Sequence, residues 1–403
     1  MRNKNTPDIR FPGFNGEWEQ RAFSDLVTRV SKSSDEDVLP RVEYEDIISG
    51  QGELNKDIFA KESDKKGIEF EAGDTLFGKL RPYLQNWLLA DFKGIAVGDW
   101  WVLRPNEMDS KFIYSLVQSN KYQIVANLST GTKMPRSDWK VVSETEFAVP
   151  TDKYEQGKIG GVFEHLDNLI TLHQQELTTL KQTKQGFLQK MFPKEGESVP
   201  EVRFSGFTGD WEQRRLDSMV DRLKSYPLSR DVETSDYTGY KYIHYGDIHT
   251  KVADKIDKSS NLPNIKVGNY ELLEKGDLVL ADASEDYKGI ATPAVITIDT
   301  PYKLVSGLHT IALRPKQVDS LFLYYLINSP IFRKYGYRMG TGMKVFGISV
   351  TNLLKFESIF PSFEEQTKIG NFFEQLDNTI ALHQRELDAL KETKKAFLQK
   401  MFA

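Results

Sequence analysis

The sequence contains no cysteine, and this absence excludes disulfide bonds, thiolate metal sites and cysteine nucleophiles. It also has no run of 18 or more apolar residues, so no membrane-spanning helix is predicted. Residues 1–10 have no apolar core of the kind that a secretory signal needs. We therefore expect a cytoplasmic protein that does not contact a membrane.

An excess of positive charge is also missing. The 403 residues carry a formal net charge of −5, which argues against a protein that coats nucleic acid without sequence preference. The sequence has neither the glycine-rich loops that bind nucleotide phosphates nor the common zinc-hydrolase and serine-nucleophile motifs. We therefore predict no catalytic residue and no cofactor bound by this chain.

What the sequence does contain is an internal repeat. Residues 156–192 recur as residues 366–402, with 25 of 37 positions identical, and residues 7–21 recur as residues 200–214. Between these ends the match is faint but stays in order. Such self-similarity predicts two copies of one structural unit. Either the copies have drifted at different rates, or their ends share one task while their middles perform two different ones.

Each copy ends in a predicted long helix. Residues 155–191 contain no proline, and their apolar positions alternate at steps of four and three, which is typical of a coiled coil. At about 1.5 Å per residue, each helix would be roughly 55 Å long. We predict an antiparallel pair with these seam residues: Ile159, Phe163, Leu166, Ile170, Leu177, Leu180, Phe187, Ile369, Phe373, Leu376, Ile380, Leu387, Leu390 and Phe397.

Histidine occupies the same seam position in both helices, at His173 and His383. A polar residue in a seam usually fixes the register of the helices at some cost in stability. We take this as the role of the two histidines and predict no metal site. A proton switch or a metal site is the alternative, because Glu176 and Glu386 are close in sequence.

The rest of each copy is predicted to be a globular domain of short strands and helices. The predicted fold class is α+β, with two mixed α/β domains separated by two long helices in a pseudo-two-fold symmetric tandem repeat. Val141-Val142 and residues 147–150 are predicted strands, and Asp109 and Asp319 are predicted helix caps. Trp100 is expected in the core, as is its neighbour. The predicted boundaries are 1–150 for the first domain, 151–193 for the first helix, 194–361 for the second domain and 362–403 for the second helix.

Basic residues are concentrated at one place in each domain. No acidic residue occurs between Asp109 and Asp138, or between Asp319 and Glu357, in a chain with 58 acids. Each window holds a glycine-threonine loop, whose backbone N–H groups, hydroxyls and lysine can hold phosphate oxygens. Such a loop can also be a plain solvated turn, but its presence in both copies favours contact with DNA phosphates.

The predicted DNA-contacting residues come from these windows, from a basic turn at residues 79–83, from an aromatic run at residues 240–245 and from two further lysines. They are Lys79, Arg81, Lys93, Thr130, Gly131, Thr132, Lys133, Arg136, Tyr240, Lys241, Tyr242, His244, Lys288, Arg338, Gly340, Thr341, Gly342 and Lys344.

A nuclease site is an alternative interpretation of two short segments. Asp91-Phe92-Lys93 and Asp286-Tyr287-Lys288 resemble half of a Mg²⁺-dependent nuclease site. Such a site needs a further carboxylate to hold the metal. Asp282 could supply it in the second copy, but residues 88–90 offer none in the first. We therefore expect no catalysis by this chain.

The pattern resembles the specificity subunit of type I restriction-modification enzymes. The resemblance is carried by the Glu-Gln helix starts at residues 155–156 and 365–366, by the Leu-Asp pairs at residues 166–167 and 376–377, and by the Gly-Asp turns and glycine-threonine loops. It covers essentially the whole chain. One departure is that the basic turn at residues 79–83 has no match in the second copy.

The resemblance implies that two target recognition domains each read half of a bipartite, asymmetric site on double-stranded DNA, and that the helices set the spacer. It implies two modification subunits, which carry S-adenosylmethionine and methylate adenine after flipping it from the stack. It also implies up to two restriction subunits that use ATP and Mg²⁺ in bacterial defence. The rival hypothesis is a non-enzymatic coiled-coil scaffold that binds only proteins.

Overall fold

The computed structural model describes residues 6–60, 63–128, 133–342 and 344–402. The chain divides into two compact units. Unit 1 comprises Met1–Glu176 and His383–Ala403, and unit 2 comprises Leu177–Leu382. Each unit therefore combines one globular domain with one part of each long helix.

Unit 1 is built around two four-stranded sheets, with orders β2-β11-β8-β9 and β3-β7-β10-β4, and two strand pairs, β1-β12 and β5-β6. Its strands are β1 (Glu19–Ala22), β2 (Val27–Val30), β3 (Ser33–Ser34), β4 (Arg41–Val42), β5 (Ile47–Ile48), β6 (Glu53–Leu54), β7 (Gly67–Phe70), β8 (Thr75–Gly78), β9 (Trp87–Leu89), β10 (Gly94–Ala96), β11 (Trp100–Pro105) and β12 (Glu146–Val149). Its helices are α1 (Phe23–Leu26), α2 (Ser110–Gln118), α3 (Asn120–Ala126), α4 (Trp139–Glu144) and the first part of α5 (Lys153–Lys190), and 3₁₀ turns lie at Tyr44–Asp46 and Pro82–Leu84.

The core of unit 1 forms on both faces of β11. Neighbouring side chains of a strand point to opposite faces, and Trp100 packs in one cluster with Phe70 while Trp101 packs in another with Phe77. Both tryptophans are buried, so their expected place in the core is confirmed.

Unit 2 has the corresponding arrangement, with sheets β14-β23-β19-β21-β17 and β15-β18-β16-β22 and pairs β13-β25 and β20-β24. Its strands are β13 (Glu212–Arg215), β14 (Val220–Leu223), β15 (Glu233–Thr234), β16 (Tyr240–Ile243), β17 (Lys255–Ile256), β18 (Asn264–Ile265), β19 (Leu278–Ala281), β20 (Ala283–Ser284), β21 (Pro293–Ile296), β22 (Lys303–Ser306), β23 (Thr310–Pro315), β24 (Phe346–Gly347) and β25 (Glu357–Phe360). Its helices are α6 (Tyr245–His249), α7 (Ser320–Asn328), α8 (Pro330–Met339), α9 (Val350–Leu354) and the first part of α10 (Phe363–Lys400), and 3₁₀ turns lie at Leu216–Ser218, Arg230–Val232 and Tyr287–Gly289.

The long helices run antiparallel inside each unit. In unit 1, Asp167 of α5 pairs with Lys394 of α10 at 2.5 Å, and His173 lies beside His383. Residue numbers thus rise along one helix as they fall along the other, and the same holds in unit 2. The predicted α+β class with antiparallel helices is confirmed. Among the described residues, no helix combines the length and the apolar character that a membrane span requires.

The predicted seam residues are all buried or half-buried, but they do not all serve the helix pair alone. Ile159 and Phe163 belong to the core of the first domain, and Ile369 and Phe373 belong to the core of the second. The start of each long helix is therefore part of a globular domain.

The repeated ends of the sequence attach each helix to its domain. In unit 1, Glu155 is buried and accepts two hydrogen bonds from the Arg10 guanidinium, at 2.6 and 2.8 Å. In unit 2, Arg203 and Glu365 repeat this contact at 2.6 and 2.7 Å. A bidentate pair of this kind fixes the orientation of both partners. The first task shared by the repeated ends is thus to anchor the helices.

Glutamine and glycine complete the anchor. The Gln156 side chain accepts from the backbone N–H of Asp109 at 2.9 Å, and Gln366 does the same with Asp319. The two aspartates cap α2 and α7 as predicted, accepting from the backbone N–H three residues on. A Cβ at Gly160 would lie 2.7 Å from the Phe112 nitrogen, so only glycine allows this close approach.

Asp167 and Asp377 are equivalent in the repeat but have different environments in the two units. In unit 2, burial acts to raise the pKa of Asp377, but Lys184, Lys255 and the Tyr325 hydroxyl outweigh it, so the pKa is lowered. In unit 1, burial raises the pKa of Asp167, and its ion pair with Lys394 does not cancel the effect. At this position of the repeat, the partners of Asp377 outweigh the effect of burial on the charged carboxylate, whereas the partner of Asp167 does not.

One strand prediction is wrong. Val141-Val142 was expected to be a strand, but both residues lie in α4. Asp138 caps this helix by accepting from the Lys140 backbone N–H at 2.8 Å. A local cap thus overrides the β propensity of two adjacent valines.

Candidate nucleic-acid interface

A short antiparallel contact joins the end of β8 to the end of the basic window in unit 1. Leu80 forms a β-bridge with Arg136, and the Arg81 backbone N–H donates to the Pro135 carbonyl at 2.7 Å. The contact brings residues 79–84 beside residues 133–136, and we call these two segments edge 1. It unites basic residues that are more than 50 positions apart in the sequence.

Edge 1 carries more cations than anions. Arg81 and Lys133 are exposed. Lys79 and Arg136 share one carboxylate, Asp99, at 3.6 and 3.1 Å. Four cations against one acid leave a net positive surface, which suits phosphate contact. The predicted residues Thr130, Gly131 and Thr132 lie outside the described residues.

An exposed aromatic ring lies within edge 1. Tyr83, on the 3₁₀ turn Pro82–Leu84, is 53% exposed, and Leu84 and Met134 are also exposed. A phenol ring beside cations can stack on a base or donate a hydrogen bond. Tyr83 was not among the predicted DNA-contacting residues, although its place in the basic turn could have indicated it.

The glycine-threonine loop of unit 2 is a closed hairpin. Thr341 and Gly347 exchange two backbone hydrogen bonds of 2.9 Å, and β24 pairs with β20. Gly342 has φ +133°, and a Cβ there would lie 1.9 Å from the Val345 carbonyl oxygen. The turn therefore requires glycine, and it leaves Thr341, Gly342 and Lys344 exposed.

The hairpin lies beside the 3₁₀ turn Tyr287–Gly289, and we call residues 282–289, 337–342 and 344–347 edge 2. The Tyr287 ring packs between Phe346, at 3.9 Å, and Tyr337, at 4.7 Å between ring centroids. Tyr337 is 63% exposed, and Lys288 is exposed beside it. Edge 2 therefore combines aromatic rings with cations, as edge 1 does, but unlike edge 1 it also contains acids, namely Asp282, Glu285 and Asp286.

Two predicted residues at the start of the hairpin are less available. Arg338 donates to Glu195 at 2.9 Å, and Lys334 binds the same carboxylate at 2.9 Å. Hydrogen bonds from both cations lower the pKa of Glu195. The Gly340 backbone N–H donates to Gly336 and closes α8. Arg338 can reach a phosphate only by sharing or leaving this carboxylate.

The centre of edge 2 differs in charge from the centre of edge 1. The backbone N–H of Asp282 donates to His309 at 3.0 Å, just as that of Lys79 donates to Asp99 at 2.9 Å. The side chains at these two positions differ in type. Asp282 occupies the place of Lys79, and His309 occupies the place of Asp99. His309 Nδ1 lies 3.1 Å from Asp282 Oδ1. His309 was not predicted, although aligning the two copies would have indicated it.

Two side chains of the aromatic run at residues 240–245 lie in the interior of the second domain rather than on its surface. Tyr242 is fully buried and its hydroxyl donates to Glu233 at 2.8 Å. His244 is buried and caps α6, accepting from the Gly246 N–H at 3.1 Å, and burial lowers its pKa. These two side chains point into the domain, so the prediction that they contact DNA is corrected.

The other two members of this run are partly engaged. The Lys241 ammonium donates to the Leu262 carbonyl, and burial lowers its pKa. The Tyr240 hydroxyl accepts from Lys303 at 3.0 Å. Both are half-buried on β16, in the sheet that does not carry edge 2. Their contact with DNA stays a prediction.

Lys93 and the nuclease alternative find little support. The Lys93 ammonium binds Glu69 at 2.9 Å and Glu71 at 3.1 Å. Asp286 caps the turn at Tyr287–Gly289 by accepting from Gly289. In the part of the chain that the structure describes, no group of metal-ligating side chains forms around Asp91 or Asp286.

Comparison with known proteins identifies the family to which this chain belongs. Residues 16–182 and 208–392 both match the family described as type I restriction modification DNA specificity domain. The chain belongs to this family. It is a specificity subunit, and its globular domains are the DNA-recognition part of a type I restriction-modification system.

Named specificity subunits and solved structures agree with this assignment. The chain is 24% identical to the type I restriction enzyme MjaVIII specificity subunit of Methanocaldococcus jannaschii, over 72% of this chain and 69% of that protein. It is 21% identical to the putative MjaX specificity subunit of the same organism, over 95% and 92%. A specificity subunit structure from M. genitalium shares the fold with a TM-score of 0.60 at 15% identity, covering 99% of both chains. A chain from a structure on assembly of the type I system gives 0.54 at 18% identity, covering 97% and 98%.

Proposed function

We propose that each unit of this specificity subunit reads one half of a bipartite, asymmetric DNA site through its edge. The observation that carries the proposal is that edge 1 and edge 2 occupy equivalent positions in the fold but present different side chains. Shared backbone can position two domains on phosphates in the same way, whereas different side chains distinguish different bases. A non-palindromic site follows from the difference.

The long helices are proposed to set the spacer between the half-sites. Each has 38 residues, which corresponds to about 57 Å at about 1.5 Å per residue. Half-sites on one face of the duplex lie about 34–36 Å apart for one helical turn. A helix pair of this length is sufficient to span that distance.

The helices are also proposed to dock two modification subunits, which carry S-adenosylmethionine and methylate adenine N6. Leu172 on α5 and Leu382 on α10 are equivalent in the repeat, and each is 49% exposed. The same exposed apolar side chain at one position of both copies suits a contact that two identical partners make with equivalent surfaces. Restriction subunits with ATP and Mg²⁺ would then cleave unmethylated sites, so that this chain itself catalyses no step.

DNA binding is tested with the chain assembled on its modification subunits. We expect retardation of host DNA fragments that share a bipartite motif, and the same motif should appear as methylated adenine when host DNA is sequenced. Binding that is absent or independent of sequence would favour the protein-only scaffold. Mg²⁺-dependent cleavage by the isolated chain, lost in Asp286→Ala, would favour the nuclease.

The spacer role is tested by inserting four residues after Leu177 in α5. The insertion lengthens a helix by about 6 Å, or about two base pairs at 3.4 Å each. We expect the methylated motif to keep both half-sites and to change its spacer. A changed half-site would contradict the spacer role.

Docking is tested by Leu172→Asp, with Gln175→Asp as the control at an exposed position of the same helix. We expect Leu172→Asp to weaken assembly with the modification subunits roughly tenfold, as for removal of a moderate interface contact. The control should assemble normally, and an equal effect of both variants would place docking elsewhere.

A further inference from the structure

Four side chains with metal-binding chemistry meet between the long helices of unit 1. His173 and Glu176 lie one turn apart on α5, and His383 and Glu386 lie one turn apart on α10. The two imidazole centroids are 5.7 Å apart. One ligand atom from each of His173, Glu176 and His383 lies within 4.8 Å of the others. The same His-x-x-Glu pair thus occurs on both helices of the antiparallel pair, with the histidines half-buried and the glutamates at the edge of the cluster.

The distances in this cluster suit a shared ion better than direct pairing. His383 Nδ1 lies 3.5 Å from Glu176 Oε2 and 3.9 Å from Glu386 Oε2, and His173 Nδ1 lies 3.8 Å from Glu386 Oε2. These separations are too long for good hydrogen bonds. In a tetrahedral zinc site with bonds of about 2.0–2.1 Å, neighbouring ligand atoms are about 3.3 Å apart. The cluster therefore needs to contract by only a few tenths of an ångström along these edges.

The histidine nitrogens that face the cluster have unmet bonding capacity. Nδ1 of His173 and Nδ1 of His383 are both shielded from solvent, and neither has a hydrogen-bond partner among the described residues. Buried polar atoms are normally satisfied, so each exception indicates a missing partner. The two glutamates are close to half exposed, which leaves a path by which a hydrated ion can enter.

We propose that His173, Glu176, His383 and Glu386 bind one divalent transition-metal ion of the zinc class. Two imidazole nitrogens and two carboxylate oxygens form a four-ligand set that suits Zn²⁺, Co²⁺ or Ni²⁺, whereas Mg²⁺ and Ca²⁺ prefer oxygen ligands alone. The bound ion would link α5 to α10 and hold their register. This site is independent of DNA reading, and it extends the register role that the sequence predicts for the two histidines.

The site is tested on the full chain after treatment with a chelator and dialysis. Co²⁺ titration should produce visible bands of tetrahedral cobalt that saturate at one ion per chain, and Zn²⁺ should displace the cobalt. Zinc at about 100 times its Kd should raise the Tm of unit 1 by roughly 5 °C or more. Absence of saturable binding at this stoichiometry would overturn the proposal.

The double variant His173→Asn/His383→Asn separates metal binding from a purely structural seam. Asparagine keeps a polar seam residue of the kind that fixes register but is a poor ligand for zinc. We expect it to abolish the cobalt bands and the zinc-dependent rise in Tm. His165→Asn is the control, because His165 is exposed on the same helix outside the cluster, and it should bind metal as the unaltered chain does.

A second variant covers the case in which the asparagine variant does not fold. Glu176→Gln/Glu386→Gln alters two partly exposed side chains and leaves both histidines in place. We expect metal affinity to fall at least tenfold, since even weaker changes around metal ligands cost 10–100-fold. Unchanged affinity in either double variant would show that the metal binds elsewhere and would overturn the site.

Discussion

Edge 1 and edge 2 share a backbone arrangement and differ at their centres. In edge 1, Lys79 and Arg136 surround Asp99, whereas in edge 2 Asp282 faces His309. The anchors of the long helices show the opposite behaviour, because each arginine-glutamate pair has nearly the same geometry in both units. The repeat therefore keeps its framework contacts and varies the side chains on one surface.

The largest expected effect comes from breaking an anchor. Glu155→Gln in unit 1 and Glu365→Gln in unit 2 each leave a largely buried arginine without its counter-charge. We expect each to cost its own unit about 3 kcal/mol, measured by hydrogen exchange resolved along the chain. Equal losses would confirm that the framework is shared, and clearly unequal losses would contradict it.

Glu164→Gln is the matched control for the anchor variants. Glu164 forms an ion pair with Lys111 at 2.7 Å, but both side chains are 44% exposed. Exposed pairs contribute about 0–1 kcal/mol. A loss as large as that of Glu155→Gln would show that the anchors have no special role.

The edges themselves are compared through the salt dependence of DNA binding. Arg81→Ala/Lys133→Ala/Arg136→Ala in edge 1 removes three cations that we expect to contact phosphates. Each phosphate contact contributes about 0.9 to the slope of log K against log salt. We therefore expect the slope to fall by about 2–3, measured on the complex with modification subunits.

Lys93→Ala is the control for the edge variants. Glu69 and Glu71 already neutralise Lys93, so we expect little change in the slope. A reduction by a full contact would mean that this lysine leaves its carboxylates for a phosphate. In that case the DNA-binding surface of unit 1 would include the sheet β3-β7-β10-β4.

His309→Ala tests whether the centre of edge 2 reads bases. A lost base contact costs about 1–3 kcal/mol of discrimination. We expect relaxed preference at one or two base pairs of one half-site, measured by selection from randomised DNA. The other half-site should be unaffected, and a uniform loss of affinity across all sequences would assign His309 to phosphate contact.

The smallest effect concerns the equivalent aspartates Asp167 and Asp377. The lowered pKa of Asp377 means that its stabilisation is fully present above the unfolded value of about 3.9 and is lost as pH falls through the folded value. The raised pKa of Asp167 has the opposite sign, so its contribution declines as pH rises through the folded value. The pKa of Glu53 is also raised, mainly by burial and to a smaller extent by the negative charge of Asp167.

We therefore expect Asp377→Asn to destabilise its unit at pH 7 by about 1 kcal/mol more than Asp167→Asn does, the scale of one well-formed hydrogen bond. The difference should shrink as the pH falls below about 4. Unfolding midpoints of the three proteins between pH 3 and pH 7 measure it. A larger loss in Asp167→Asn at pH 7 would contradict this contrast.

Local patterns predicted the elements that depend on neighbours in sequence. The steps of four and three predicted both long helices, and aspartate followed by an apolar run predicted α2 and α7. The burial of Trp100 and Trp101 followed from their hydrophobicity, whereas the strand β11 that carries them was not predicted. These features depend on spacing within a few turns or residues, which the sequence displays directly.

The edges could be predicted only in part, because distant segments build them. Leu80 pairs with Arg136 through a β-bridge that no local pattern reveals. The basic window of unit 2 also misled in one respect, because Arg333 is half-buried and donates to the carbonyls of Ile290 and Ala291. Burial lowers the pKa of Arg333 to about 10. Charge counting cannot distinguish such a residue from one that faces DNA.

The discontinuous make-up of unit 1 has a consequence for how the protein is made. Ile9 donates to the Lys400 carbonyl at 2.9 Å, and Phe402 packs on Phe112 and Phe163. The ribosome must therefore add more than 200 residues after Glu176 before the first domain can be completed. At about 5–20 residues per second, this takes roughly ten seconds or more. During that time Phe163 lacks its contact with Phe402. The first domain is therefore translated first, but its core is completed last.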